Sequence, residues 1–196
     1  MKATGVAFGI DDWFLSRSAL WVAAGWGFAE GTVFFFIPDI FLTATALFSV
    51  RRSLAQMFAA LAGSLVGGAL LFGLAARNPS SAENLVERVP FVSHRMFDKV
   101  ERDFQDAGVW ALCKGPTSGI PYKVYAVQAP PHTPIVSFLL VSVPARLERF
   151  VLSWAMFALI GVLLRRKIQA HPVGAVGLHA VYWIGIYAYY WSVVAR

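Results

Sequence analysis

The first apolar run of this chain, from Ala19 to about Val50, holds Glu30, Gly31, Pro38 and Asp39 inside it, with Arg17 before it and Arg51 and Arg52 after it. A single straight membrane span takes about 20 residues, and proline breaks a helix interior. The run is too long for one span and too short for two spans and a turn. With both ends basic, the economical reading is a helix followed by a re-entrant segment that returns to its starting side. Composition agrees with a membrane setting: 58% of the 196 residues are hydrophobic and 14% are charged, against about a quarter charged in soluble domains. The mean hydropathy is +0.60, more apolar surface than one soluble core of this size buries.

The net charge is +6. A basic balance can accompany nucleic-acid binding, but the basic residues here sit at the ends of apolar runs, where membrane anchors belong. Nucleic acid is therefore not an expected partner. Cys113 is the single cysteine, which excludes an intramolecular disulfide framework and any Cys-rich metal site. Residues 1 to 17 carry Lys2, Asp11, Asp12 and Arg17 and no apolar core before a cleavage site, so no secretory signal is expected. Asp11 and Asp12 read as a solvated helix entry.

The second segment, Leu54 to Ala76, is a clean span whose Gly63, Ser64, Gly67 and Gly68 would let a neighbouring helix approach closely. Residues Arg77 to Asp106 are polar and nearly neutral, with five basic and six acidic residues. They open on Pro79 and a serine run, a helix start. Phe97, Val100 and Phe104 recur every three or four residues, which predicts an amphipathic surface helix or a soluble connector helix. The third segment, Gly108 to Pro134, is apolar but broken by Pro116, Gly119, Pro121, Pro130 and Pro131. The fourth, Ile135 to Leu164, contains Arg146, Glu148 and Arg149 and ends in Arg165, Arg166 and Lys167. The fifth, Val173 to Ala195, is a clean span with Trp183, Tyr187, Tyr189, Tyr190 and Trp191 toward one end, as in an aromatic belt.

Placing Arg17, Arg51, Arg52, Arg165, Arg166 and Lys167 in the cytoplasm leaves the neutral 77–106 loop outside, as the positive-inside rule asks. That works only if the first and third segments each end on the side where they began. The broken pieces "FFFIPDIFLTATA" and "TSGIPYKVYAVQA" each precede a spanning helix and would start on opposite sides of the membrane. This is the plan of an inverted repeat, typical of transporters with a central site. The expected fold is an all-α integral membrane protein, with transmembrane helices and two opposed re-entrant helical elements in one membrane domain. Its parts are a first half-repeat (19–76), a surface amphipathic linker (77–107), a second half-repeat (108–167) and an extra C-terminal transmembrane helix (173–195).

Ionisable residues at membrane depth are costly and mark function by default. The candidates are Glu30, Asp39, Lys114, Lys123, Arg146 and Arg149, with Glu148 beside them. Irregular backbone in the membrane is tolerated only inside protein or along a wet cavity, so the two Ile-Pro breaks are expected to face each other across one. The basic residues suit an anionic headgroup, arginine offering a bidentate fork to phosphate. Glu30 and Asp39 suit proton exchange. The competing reading is that these groups form buried ion pairs, or that Arg146 and Arg149 snorkel to an interface. Glu148 reads as a possible partner of Arg149. The histidines, His132 included, have no metal-ligand spacing. There is no G-x-S-x-G, no phosphate-binding glycine loop and no metal cluster, so no enzyme, metal or cofactor is expected.

Glu30 followed by "FFIPDIFL", then "LAGSLVGGALLFGLAAR", "GVWALCKGPTSGIPYKVYAVQA" and "FLLVSVPARLERFVL", together resemble the DedA family of SNARE-associated (VTT-domain) membrane proteins, especially its YqaA-like branch. The resemblance covers about Gly25 to Arg166. It implies two inward-pointing re-entrant elements and a lipid transporter moving an anionic headgroup, a polyprenyl phosphate or a phospholipid, coupled to protons. An energy-independent scramblase is the alternative, ahead of an assembly factor or a lipid-phosphate enzyme. It maps the family's embedded acidic residues onto Glu30 and Asp39, and its basic ones onto Lys114, Lys123, Arg146 and Arg149. The resemblance also implies a bacterial inner membrane, in which the placement of the basic ends above puts the N-terminus in the cytoplasm. Lysines stand here for family arginines, Pro130 and Pro131 for a glycine, and Ala145 for another. Lysine lacks the guanidinium fork, so phosphate recognition does not carry over intact.

Overall fold

The computed structural model describes residues 13–193. Lys2, Asp11, Asp12 and the expected course of the N-terminus lie outside the described residues. Among those described, the chain is all-helical, without a strand. The elements are α1 (Ser18–Thr32), α2 (Asp39–Phe48), α3 (Val50–Arg77), α4 (Pro79–Glu87), α5 (His94–Ala107), a 3₁₀ turn (Gly108–Lys114), α6 (Gly115–Ser118), α7 (Tyr122–Gln128), α8 (Ile135–Leu163), α9 (Arg165–Ala170) and α10 (Pro172–Val193). Among the described residues one helix, α3, is long and apolar enough to cross a membrane by length and composition.

The element ends follow from local chemistry. Pro38 stands immediately before α2, and Pro121 immediately before α7. Ser49 caps α3, its Oγ accepting from the Arg52 amide at 3.3 Å. Asn78 caps α4, its Oδ1 accepting from the Ser81 amide at 3.1 Å, with Pro79 in the first turn. These are the side chains that satisfy the free amides of a helix start.

The small residues of α3 are where α1 lies. A Cβ on Gly63 would land on the Ala24 carbonyl oxygen, and one on Gly67 would come within 2.7 Å of the Phe28 carbonyl oxygen. From the α1 side, a Cβ on Gly31 would fall 2.8 Å from the Ser64 carbonyl oxygen, and one on Gly27 on that of Ala60. The opposed residues rise together along both helices, so α1 and α3 run parallel. The chain therefore goes out along α1, turns at 33–38, comes back along α2 and begins α3 at the end where α1 began. Arg17, Arg51 and Arg52 share that end, as the basic flanks of the first run predict. Gly63→Ala is expected to push the two helices apart and cost about 1–3 kcal/mol, the usual range for overpacking. Thermal unfolding of the variant in detergent checks this, and an unchanged midpoint would refute it.

The two halves pack crosswise. α2 lies on α8, the long helix of the second half, and α7 lies on α3, the long helix of the first. Gly161 of α8 permits the first contact, since a Cβ there would meet the Ala46 carbonyl oxygen at 2.7 Å.

The 77–107 linker departs from a helix lying on lipid. The apolar stripe of α5 is covered by protein: Phe97, Val100 and Phe104 are buried with Val86 of α4, Leu112 of the 3₁₀ turn and Tyr125 of α7. The outer face of the long helices is the reverse. Trp21, Leu70, Leu140, Leu152, Leu163 and Leu178 are each more than half exposed.

Candidate functional site

The two breaks are neighbours, and their freed backbone groups are satisfied by side chains. In the first, the Phe34 carbonyl accepts from Lys123 Nζ at 3.2 Å, the Phe36 carbonyl from Trp26 Nε1 at 3.0 Å, and the Ile37 amide donates to Tyr187 Oη at 2.9 Å. In the second, Gly119 adopts a left-handed conformation, φ +74°, which costs glycine little. Its carbonyl accepts from Tyr190 Oη at 2.9 Å. Tyr187 and Tyr190 are three residues apart on one face of α10, so this helix ties both breaks together. Buried irregular backbone needs such partners.

Between the breaks is a cavity of about 360 Å3. Its floor carries Glu30 of α1, Lys123 of α7 and Arg146 and Arg149 of α8. Phe91, between α4 and α5, lies over it with φ at 72°, wedged against the rings of Phe35, Tyr190 and Trp191. A non-glycine aromatic in that region of φ is strained and persists only because its surroundings hold it.

The charges pair specifically. Arg146 donates to both carboxylate oxygens of Glu30 in a bidentate pair, with 2% of Glu30 and 5% of Arg146 exposed. The Arg146 guanidinium also lies 4.8 Å from the Tyr122 ring centre and 5.0 Å from that of Phe150, within cation–π range. Tyr122 is itself fixed by donating to Ser142 at 3.0 Å. Asp39, buried behind the cavity, accepts from Arg149 at 3.0 Å and from Ser153 at 2.7 Å. Lys123 is 1% exposed, and among the described residues its ammonium has only the Phe34 carbonyl as a hydrogen-bond partner. Among the described residues the cluster thus holds three cations against two carboxylates, and Lys123 is the one without a counter-ion. The Nε atoms of Arg146 and Arg149 are buried and unpartnered among the described residues.

Five of the six residues singled out from the sequence come together here: Glu30, Asp39, Lys123, Arg146 and Arg149. Lys114 does not. It is 45% exposed and bonded at 2.8 Å to Asp103 of α5, because the 3₁₀ turn that carries it packs on α5. Glu148 is exposed and forms no ion pair among the described residues; Arg149 turns to Asp39 instead. The ion-pair reading, rather than snorkelling, describes both arginines. Sequence reasoning missed Tyr122, Ser153, Tyr187 and Tyr190. Tyr122 directly follows Pro121, and Ser153 stands one helical turn after Arg149, signals that were available. The two tyrosines read as an interfacial belt.

His132 is outside the cavity. It stacks on Phe104 and bonds Glu101 at 2.9 Å, joining the 129–134 turn to α5. That hydrogen bond, helped by Gln105, holds the Glu101 carboxyl below its usual range. A lowered folded-state value contributes stability above the ordinary carboxylate pKa of about 4.3, and loses it as pH falls through the folded value. At pH 7, Glu101→Gln should therefore speed amide exchange in α5 relative to the unmodified protein. The two rates should converge as pH falls through the lowered Glu101 value, and a difference independent of pH would refute the assignment.

No family model, curated protein or solved structure matches this chain.

Proposed function

We propose that this protein is a DedA-type integral membrane lipid transporter that takes an anionic lipid headgroup into the cavity between the two breaks. The observation that carries the reading is Lys123, among the described residues the cluster's one uncompensated cation, buried on the cavity floor and held there only by a backbone carbonyl. An isolated buried ammonium is unfavourable, and an anionic headgroup supplies what it lacks. The exposed apolar faces of the long helices support a bilayer setting, since soluble monomers seldom expose so much. The parallel course of α1 and α3, with α2 returning between them, supports a re-entrant first element. The crosswise packing of α2 and α7 supports a second element opposed to it. In this reading the basic ends of the chain face the cytoplasm of a bacterial inner membrane, N-terminus included, and the 77–107 linker lies outside.

Proton coupling would run through Glu30 and Asp39, each taking up a proton as its arginine turns to the lipid. A passive scramblase is favoured by a specific observation, that each carboxylate already holds an arginine in place. Transfer of a fluorescent anionic lipid in proteoliposomes, with and without an imposed pH gradient, separates the two. Coupling predicts transfer that follows the gradient and is lost in Asp39→Asn. Normal transfer by a folded Asp39→Asn variant would end the proton role of Asp39, and transfer that ignores the gradient would leave the scramblase.

A further inference from the structure

Beside the charged cavity lies a second hollow of different character. It is a crevice of about 760 Å3 between the start of α2 and the C-terminal half of α10, walled by Phe36, Ile40, Trp183, Ile184, Tyr187 and Trp191. Its volume falls within the range that buries a small organic ligand. No charged side chain lines it. Most of the polar atoms on its wall are engaged within the protein. Trp183 Nε1 donates to Thr43 Oγ1 and His179 Nε2, both at 3.1 Å. Tyr187 Oη accepts from the Ile37 amide, and Ser192 Oγ donates to the Tyr189 carbonyl at 2.9 Å. The crevice therefore presents mainly hydrocarbon, its remaining donors among the described residues being the Trp191 indole N–H at the exposed edge and the Tyr187 O–H at the junction with the charged cavity.

Tyr187 is a wall of both hollows, so a charged site and an apolar site meet across one side chain. At its outer edge the crevice is bordered by Ile184 and Trp191, both well exposed. A molecule spanning the two hollows needs an anionic end and a hydrocarbon end. We infer that the crevice seats a hydrocarbon chain of the membrane lipid whose anionic head enters the Lys123 cavity, with Tyr187 at the junction of head and chain. The inference rests on the lipid-handling reading above.

Ala188 is exposed on the crevice wall, so Ala188→Trp fills the space without displacing a buried side chain. The probes are a long-chain alkyl phosphate with a diazirine near the chain end, and the same chain with a neutral glycol head. Both are photolysed with the protein in phosphatidylcholine vesicles, and the cross-linked residues are mapped by mass spectrometry. The alkyl phosphate should label the crevice in preference to the neutral probe. Ala188→Trp should cut that labelling about tenfold, as expected when a bulky ring takes an occupied site. Labelling spread over the exposed apolar faces, equal for both heads, or unchanged by Ala188→Trp overturns the inference. If transfer of an anionic lipid still depends on Lys123 when the chain cross-links elsewhere, the inference fails alone. If the unmodified protein transfers no anionic lipid, the lipid-handling reading fails and takes the inference with it; if Lys123→Gln transfers that lipid at the unmodified rate, the head is not held at Lys123 and the inference falls.

Discussion

Replacing Lys123 by glutamine should slow transfer of an anionic lipid about tenfold to a hundredfold while leaving the protein folded. The range is what loss of one hydrogen bond to a charged group amounts to, about 1.5–3 kcal/mol at tenfold per 1.4 kcal/mol. Lys123 is the cation in the cluster without a counter-ion, so removing its charge leaves no stranded carboxylate. Glutamine keeps a polar N–H, one bond short of the ammonium it replaces, so at most the single hydrogen bond to the Phe34 carbonyl is lost from the first break. Transfer of a zwitterionic lipid should change far less, because the missing interaction is with net negative charge. The measurement is paired initial rates for the two lipids in proteoliposomes. Equal slowing of both would mean that Lys123 shapes the break and does not select the headgroup.

Removing one member of the Glu30–Arg146 pair should have the largest effect on stability. Arg146→Met leaves Glu30 buried and unpaired, and breaking a buried pair in this way costs about 3–5 kcal/mol. Glu30→Leu alone strands Arg146 and should cost a similar amount. The double replacement, Glu30→Leu with Arg146→Met, strands neither charge and should recover most of the loss, since well-packed apolar substitutes for buried pairs are often neutral. The cycle is closed by comparing detergent unfolding of the four proteins, which isolates the coupling between the two sites. Additive losses would show that the pair is not coupled. A double variant that regained its stability but not lipid transfer would assign the pair a role in transport beyond holding α1 to α8.

The course of the chain was largely legible in the sequence, because it depends on neighbours. Pro38 and Pro121 mark the breaks since proline lacks an amide N–H wherever it stands. The glycines of α3 announce a close helix since their missing side chains are a local fact, and the basic flanks of the first run announce a return to the starting end. The apolar stripe of α5 was equally plain, but what covers it was not. A period of three to four says that a face is apolar, and lipid and protein satisfy it alike.

The site was legible as a set of residues and illegible as a set of bonds. Glu30 meets Arg146 and Asp39 meets Arg149 across more than 100 residues of chain, and no spacing rule relates positions so far apart. Lys114 and Lys123 are the same residue type nine positions apart, yet one is a half-exposed partner of Asp103 and the other a buried cation. Tyr187 and Tyr190 carry the pattern of an interfacial belt, and their hydroxyls hold the two breaks. By itself the sequence determined where helices begin, break and end, and that charge is buried among apolar runs. Only the tertiary structure decided which charges cancel and that Lys123 is left over. Cancellation depends on which faces of distant helices meet, and the packing of whole helices settles that.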